Sequence, residues 1–130
     1  MTTTNRARDH WSRCRRRAAE LRVLAVSEYG LTPPGQFAAE IREATNEIIA
    51  EVEAAGRTSL GVSSHEPGAE TFFWVRVARL AMAADQAVDT ARRGDRTALR
   101  AHLQHFDTLI TAIWTVHNAT YAGLGPIALR

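Results

Sequence analysis

Apolar residues recur at every third or fourth position over four long stretches of the chain, which is the period of an α-helix with one buried face. The second stretch shows this period most clearly, and its apolar positions are Phe37, Ile41, Ala44, Ile48, Val52 and Ala55. The alternation of apolar and polar residues that marks a half-buried strand does not extend over five residues anywhere. The pattern therefore predicts an all-α protein.

Glycine residues between the apolar stretches indicate where the helices end. Glycine commonly closes a helix because it takes a left-handed conformation without steric cost. The glycines at these breaks are Gly30, Gly56, Gly94 and Gly123. We predict four helices, over about residues 5–29, 33–55, 67–93 and 96–122.

Two polar residues are predicted to cap the start of a helix. Thr32 precedes a proline that is tolerated in a first helical turn, and Asp95 follows the third glycine break. Residues 57–66 form the one longer predicted loop. Helices of similar length with mostly short connections predict an antiparallel up-down-up-down four-helix bundle, which is a single domain over residues 1–130.

Charge is distributed unevenly between the first two predicted helices. Residues 1–30 contain seven arginines and three acidic residues, a net charge of +4, whereas residues 31–66 contain two arginines and six glutamates, a net charge of −4. Four glutamates share one flank of the second helix, namely Glu40, Glu43, Glu47 and Glu51. We predict that the basic helix lies along this acidic flank. The alternative is nucleic-acid binding by the first helix, which the whole chain's net charge of only +2 disfavours.

The predicted topology brings aromatic residues together at one end of the bundle, which we call the aromatic end. Aromatic walls with a few polar groups are typical of small-molecule pockets. The candidate pocket residues are Trp11, Glu51, His65, Trp74, Trp114, His117 and Tyr121. In this interpretation His117 is the acid, base or ligand-binding residue. The alternative is that the rings fill the core and His117 is a hydrogen-bonded core residue.

The third helix has a second apolar face opposite its core line. Val75 and Met82 lie seven residues apart on this face, with Phe72 beside them. Seven residues is the repeat of a helix-packing seam, and a helix that is apolar on two sides is expected to be buried on two sides. Either this helix is central in the domain, or Phe72, Val75 and Met82 are the contact face of a homodimer, which is the interpretation that we favour.

Motifs for catalysis, cofactor binding and metal binding are not recognisable in the sequence. There is no glycine-rich phosphate loop, and a single cysteine, Cys14, allows neither an internal disulfide nor a paired-cysteine metal site. Cys14 lies on the apolar line of the first helix, which favours a packed side chain over a nucleophile. His102 and His105 alone are too few ligands for a typical zinc site. We therefore expect no metal and no cofactor.

These observations favour a non-enzymatic interaction protein that is homodimeric and binds another protein. The alternatives are a small-molecule-binding or enzymatic bundle that uses the aromatic end, and nucleic-acid binding by the first helix. No apolar run reaches the roughly 18 residues of a membrane span, and no secretory signal is recognisable. We therefore expect a cytoplasmic protein.

Overall fold

Four α-helices account for most of the chain. The computed structural model describes the backbone of residues 3–63 and 69–117, and the side chains of residues 8–57 and 73–116. Over these residues there is no strand, and the helices are α1 (Thr3–Ser27), α2 (Pro34–Ser63), α3 (Ala69–Arg93) and α4 (Arg96–His117). Consecutive helices pack against each other, and α1 also contacts α4. The all-α prediction is confirmed.

Two of the predicted glycine breaks close a helix as expected. Gly30 and Gly94 follow α1 and α3 with φ angles of 80° and 73°. Beyond Gly94, the amide of Asp95 donates to the carbonyl of Thr90, as in the Schellman arrangement that ends many helices. Asp95 is also the N-cap of α4, as predicted. Its Oδ1 accepts a hydrogen bond from the amide of Ala98 at 3.0 Å.

The second helix differs from its prediction at both ends. It begins at Pro34, and the carbonyl of Pro33 accepts the hydrogen bond from the amide of Phe37, so Pro33 rather than Thr32 occupies the N-cap position. It continues to Ser63. The prediction that α2 ends at residue 55 is therefore wrong, and the predicted loop is helical as far as residue 63.

Gly56 lies inside α2 because the ring of Phe73 in α3 packs against it. Gly56 is buried, and a Cβ atom at this position would overlap the ring atoms Cε1 and Cζ of Phe73. Glycine in a helix interior costs about 1 kcal/mol relative to alanine. This glycine therefore allows α2 and α3 to pack closely and does not terminate the helix.

The core is formed by the apolar lines that the helical period indicated. All six predicted positions on α2 are buried, as are the corresponding positions on α3, namely Phe73, Val77, Leu80, Ala84, Ala87 and Ala91. The line continues on α1 from Trp11 to Leu21 and on α4 from Leu99 to Trp114. Over the described residues, no helix combines the length and the apolar character that crossing a bilayer requires.

Candidate functional site

Ion pairs hold the basic α1 against the acidic flank of α2. Arg17 Nε lies 2.6 Å from Glu47 Oε2, and Arg13 donates from Nε to both carboxylate oxygens of Glu51 at 3.2 Å. The predicted alignment is thus observed for Glu47 and Glu51. Because each exposed pair contributes at most about 1 kcal/mol, these contacts select the neighbour of α1 more than they stabilise the fold. Arginines engaged in this way are less available to phosphate groups.

Glu51, a predicted pocket residue, is the centre of a small polar cluster. His10 Nδ1 lies 2.7 Å from Glu51 Oε2 and 2.8 Å from Arg13 Nη2. The side chains of His10 and Glu51 are 24% and 27% exposed. A carboxylate beside an imidazole can orient a proton, but here the same carboxylate also binds an arginine of α1. The cluster acts as a link between two helices.

The three tryptophans of the aromatic end fall into two separate ring contacts. Trp11 and Trp114 meet edge to face with centroids 5.2 Å apart, and Trp74 meets Phe73 at 5.0 Å. Trp11 is fully buried and Trp114 is 6% exposed, so this pair fills space between α1 and α4. Edge-to-face pairs add about 1 kcal/mol to the burial of the rings.

The remaining pocket candidates fall beyond what the structure describes in full. His117 is the last residue of α4, but its side chain is outside the described set, and His65 and Tyr121 are outside the described backbone. The hypothesis of a pocket around His117 therefore stays a prediction.

Cys14 is a packed core residue, as its position on the apolar line predicted. Its side chain is fully buried. Burial, together with the negative charges of Glu51 and Asp107, raises the pKa of the Cys14 thiol to about 12. The thiolate is the reactive form of cysteine, so this side chain is a poor nucleophile at neutral pH.

The outer face of α3 exposes large apolar side chains. Val75 is 44% exposed and Met82 is 63% exposed, and no described part of the chain covers them. The side chain of Phe72, the third predicted member of this face, lies outside the described residues. Buried positions on the opposite side of α3, such as Leu80 and Ala84, show that the two faces have different environments.

A groove that the sequence patterns do not predict opens between α1 and α4, and we call it the α1–α4 groove. It has a volume of about 290 Å³ and lies where α1 ends and α4 begins, away from the Trp11–Trp114 pair. Its apolar lining is Ala25, Val26, Leu99 and Leu103, and its polar rim is Arg22, Arg96, Arg100, Gln104 and Asp107.

The sequence places two basic residues at the start of α4, beside this groove. Arg96 follows directly after the N-cap residue Asp95, and Arg100 follows one turn later. A first turn without acidic residues also occurs in α1 and α2, so these arginines do not by themselves mark a site.

Comparisons with other proteins do not assign the chain to a group. No family model matches it, and neither a curated protein nor a solved structure does. Within the described residues, no three or more histidine, cysteine, aspartate or glutamate side chains are grouped so that they could hold a metal ion.

Proposed function

We propose that this chain is a non-enzymatic interaction protein that forms a homodimer through the outer face of α3 and binds another protein. The observation that carries the proposal is the exposure of Val75 and Met82 on a helix whose opposite face is already buried. We further propose that it acts in the cytoplasm as a single-domain, antiparallel up-down-up-down bundle.

Contacts between neighbouring helices support the antiparallel order. From α1 to α2, His10 contacts Glu51 whereas Arg17, further along α1, contacts the earlier residue Glu47. From α2 to α3, Arg42 binds Asp85, while Gly56, further along α2, packs against the earlier residue Phe73. In both of these helix pairs, the contacting residues run in opposite directions along the chain, which supports an antiparallel arrangement.

A two-fold contact would use the seven-residue spacing of the exposed side chains. In a symmetric dimer, residue i of one copy contacts residue j of the other, and j contacts i. Two antiparallel copies of α3 can therefore place Val75 of each copy against Met82 of its partner. Full burial of a valine or methionine stabilises by about 1.5–3 kcal/mol relative to exposure. The two-fold symmetry provides two equivalent contacts between Val75 and Met82.

Sedimentation equilibrium tests the proposed dimer directly. We expect a mass of twice 14.3 kDa at micromolar concentration, and a monomer for Met82→Glu, because the substitution would bury an unpaired carboxylate against Val75 of the partner. The matched control is Val23→Glu, which changes a valine that is 66% exposed on α1 and should leave the dimer intact.

Two results would contradict the proposal. A monomer mass for the unaltered chain at micromolar concentration excludes the dimer. A dimer that persists in Met82→Glu places the contact elsewhere. Helical circular dichroism of each variant shows that a change of mass is not caused by unfolding.

A further inference from the structure

We propose that the α1–α4 groove is a binding site for a small monocarboxylate with a compact apolar chain. The groove combines a volume of about 290 Å³ with an apolar lining and an arginine-rich rim. Small-molecule sites commonly have about this size or more, and pair an apolar wall with a few charged groups. This site is independent of the α3 face and of the aromatic end.

The charge of the rim favours an anion. Three arginines and one aspartate line the groove, a net charge of +2. The aspartate, Asp107, is already engaged, because its Oδ2 lies 3.0 Å from Nη1 of Arg22. This pair satisfies one arginine and leaves Arg96 and Arg100 to define the potential of the groove.

Arg96 and Arg100 have no carboxylate partner within the described part of the chain. The guanidinium of Arg96 instead stacks over the ring of Tyr29, with its Cζ 5.3 Å from the ring centroid. Arg100 is exposed. Guanidinium groups bind carboxylates through two parallel hydrogen bonds.

The apolar lining supplies the second half of the proposed recognition. Val26 remains 64% exposed although it faces the groove together with the core residues Leu99 and Leu103. An apolar chain of the ligand would remove this surface from water, which favours binding. A small ligand fits this shape better than a helix does, because the groove occupies only the last turns of α1 and the first turns of α4.

Titration of the ¹⁵N-labelled chain with octanoate, followed by amide chemical shifts, tests the site. We expect saturable shifts at the amides of Val26 and Leu103 at low salt. Octanol, which has the same chain length but no charge, should bind about fivefold more weakly, the factor of a partly exposed charge contact. Arg100→Gln should remove this preference for octanoate, whereas Arg92→Gln on α3 should not.

A second pair of variants tests the apolar wall. Val26→Glu places a carboxylate in the groove and should abolish the octanoate shifts, whereas the exposed Val23→Glu, three residues earlier on α1 and not in the groove, should leave them unchanged. Both positions are exposed, so the amide spectrum should remain that of the folded chain.

Four outcomes of the ligand titrations would overturn the proposal, and a fifth would come from varying the protein concentration. The first four are an absence of saturable shifts with octanoate, equal affinity for octanol, shifts that map elsewhere, and octanoate binding that survives Val26→Glu. If the Val26 and Leu103 amides shift with protein concentration alone, a second copy occupies the groove and the carboxylate proposal is also wrong.

Discussion

The two ends of the space between α1 and α4 differ in how they are filled. At the aromatic end, Trp11 and Trp114 pack edge to face and are almost completely buried. At the other end, Ala25 and Val26 face Leu99 and Leu103 across a groove of about 290 Å³. Large rings therefore close the seam between these helices, and smaller side chains leave it open. Aromatic residues in a sequence are an ambiguous sign of a pocket, because the same rings complete a core.

The largest expected difference between the two ends is in stability. Trp11→Ala should lower the free energy of unfolding by about 3–5 kcal/mol, because it leaves a large cavity in the core. Val26→Ala, at the groove, changes a side chain that is 64% exposed and should alter stability by less than about 0.5 kcal/mol. Urea unfolding followed by circular dichroism measures both, and equal losses would contradict the comparison.

Substitution of the buried glycine of α2 should have an intermediate effect on stability, with an exposed glycine of the same helix as its control. Gly56→Ala should destabilise by about 1–3 kcal/mol, since the new methyl group would overlap the ring of Phe73. Gly35→Ala, in the first turn, meets nothing within 4 Å and should be neutral or stabilise by up to about 1 kcal/mol. Thermal unfolding measures both variants.

A second substitution tests whether Gly56 is needed for packing against Phe73. Phe73→Leu should recover part of the stability lost in Gly56→Ala, because the smaller side chain makes room for the methyl group. An increase in stability in Gly56→Ala alone would show that the glycine is not needed for packing.

The smallest expected effect concerns the ion pairs on either side of α1. Glu51→Gln removes the carboxylate that binds Arg13 and His10 and should cost about 1 kcal/mol, and Asp107→Asn, whose side chain is 44% exposed, should cost about half as much. Urea unfolding at low and at high salt measures both losses, which should shrink as salt screens the charges. Losses that are independent of salt would show that the charges are not the cause.

Regular side-chain periodicity explains why most of the helices and the core could be predicted from the sequence. The line from Phe37 to Ala55 is buried because residues three and four apart share one face of a helix. Capping chemistry at Asp95 is equally local, since the side chain binds an amide of its own first turn. The prediction that Gly56 ends a helix was wrong, because the role of this glycine depends on the ring of Phe73 in another helix.

Candidate sites were less predictable than helices. The pairing of α1 with α2 follows from charge, because opposite signs lie on two helices that are neighbours in sequence. The α1–α4 groove has no such signature, since it depends on how far apart two helices lie that are distant in the chain. A net charge of +2 around the groove emerges only when arginines from both helices are placed together.

By itself, the sequence determined that the chain is helical, which lines of side chains face inward, and that α3 has a second apolar face. These properties follow from the period of one helix and from contacts between near neighbours in the chain. Only the tertiary structure decided that α2 continues past Gly56 and that a groove opens between α1 and α4. Both depend on the volumes of side chains that meet between helices. The apolar period of a single helix does not show how well its side chains fit against those of a distant segment.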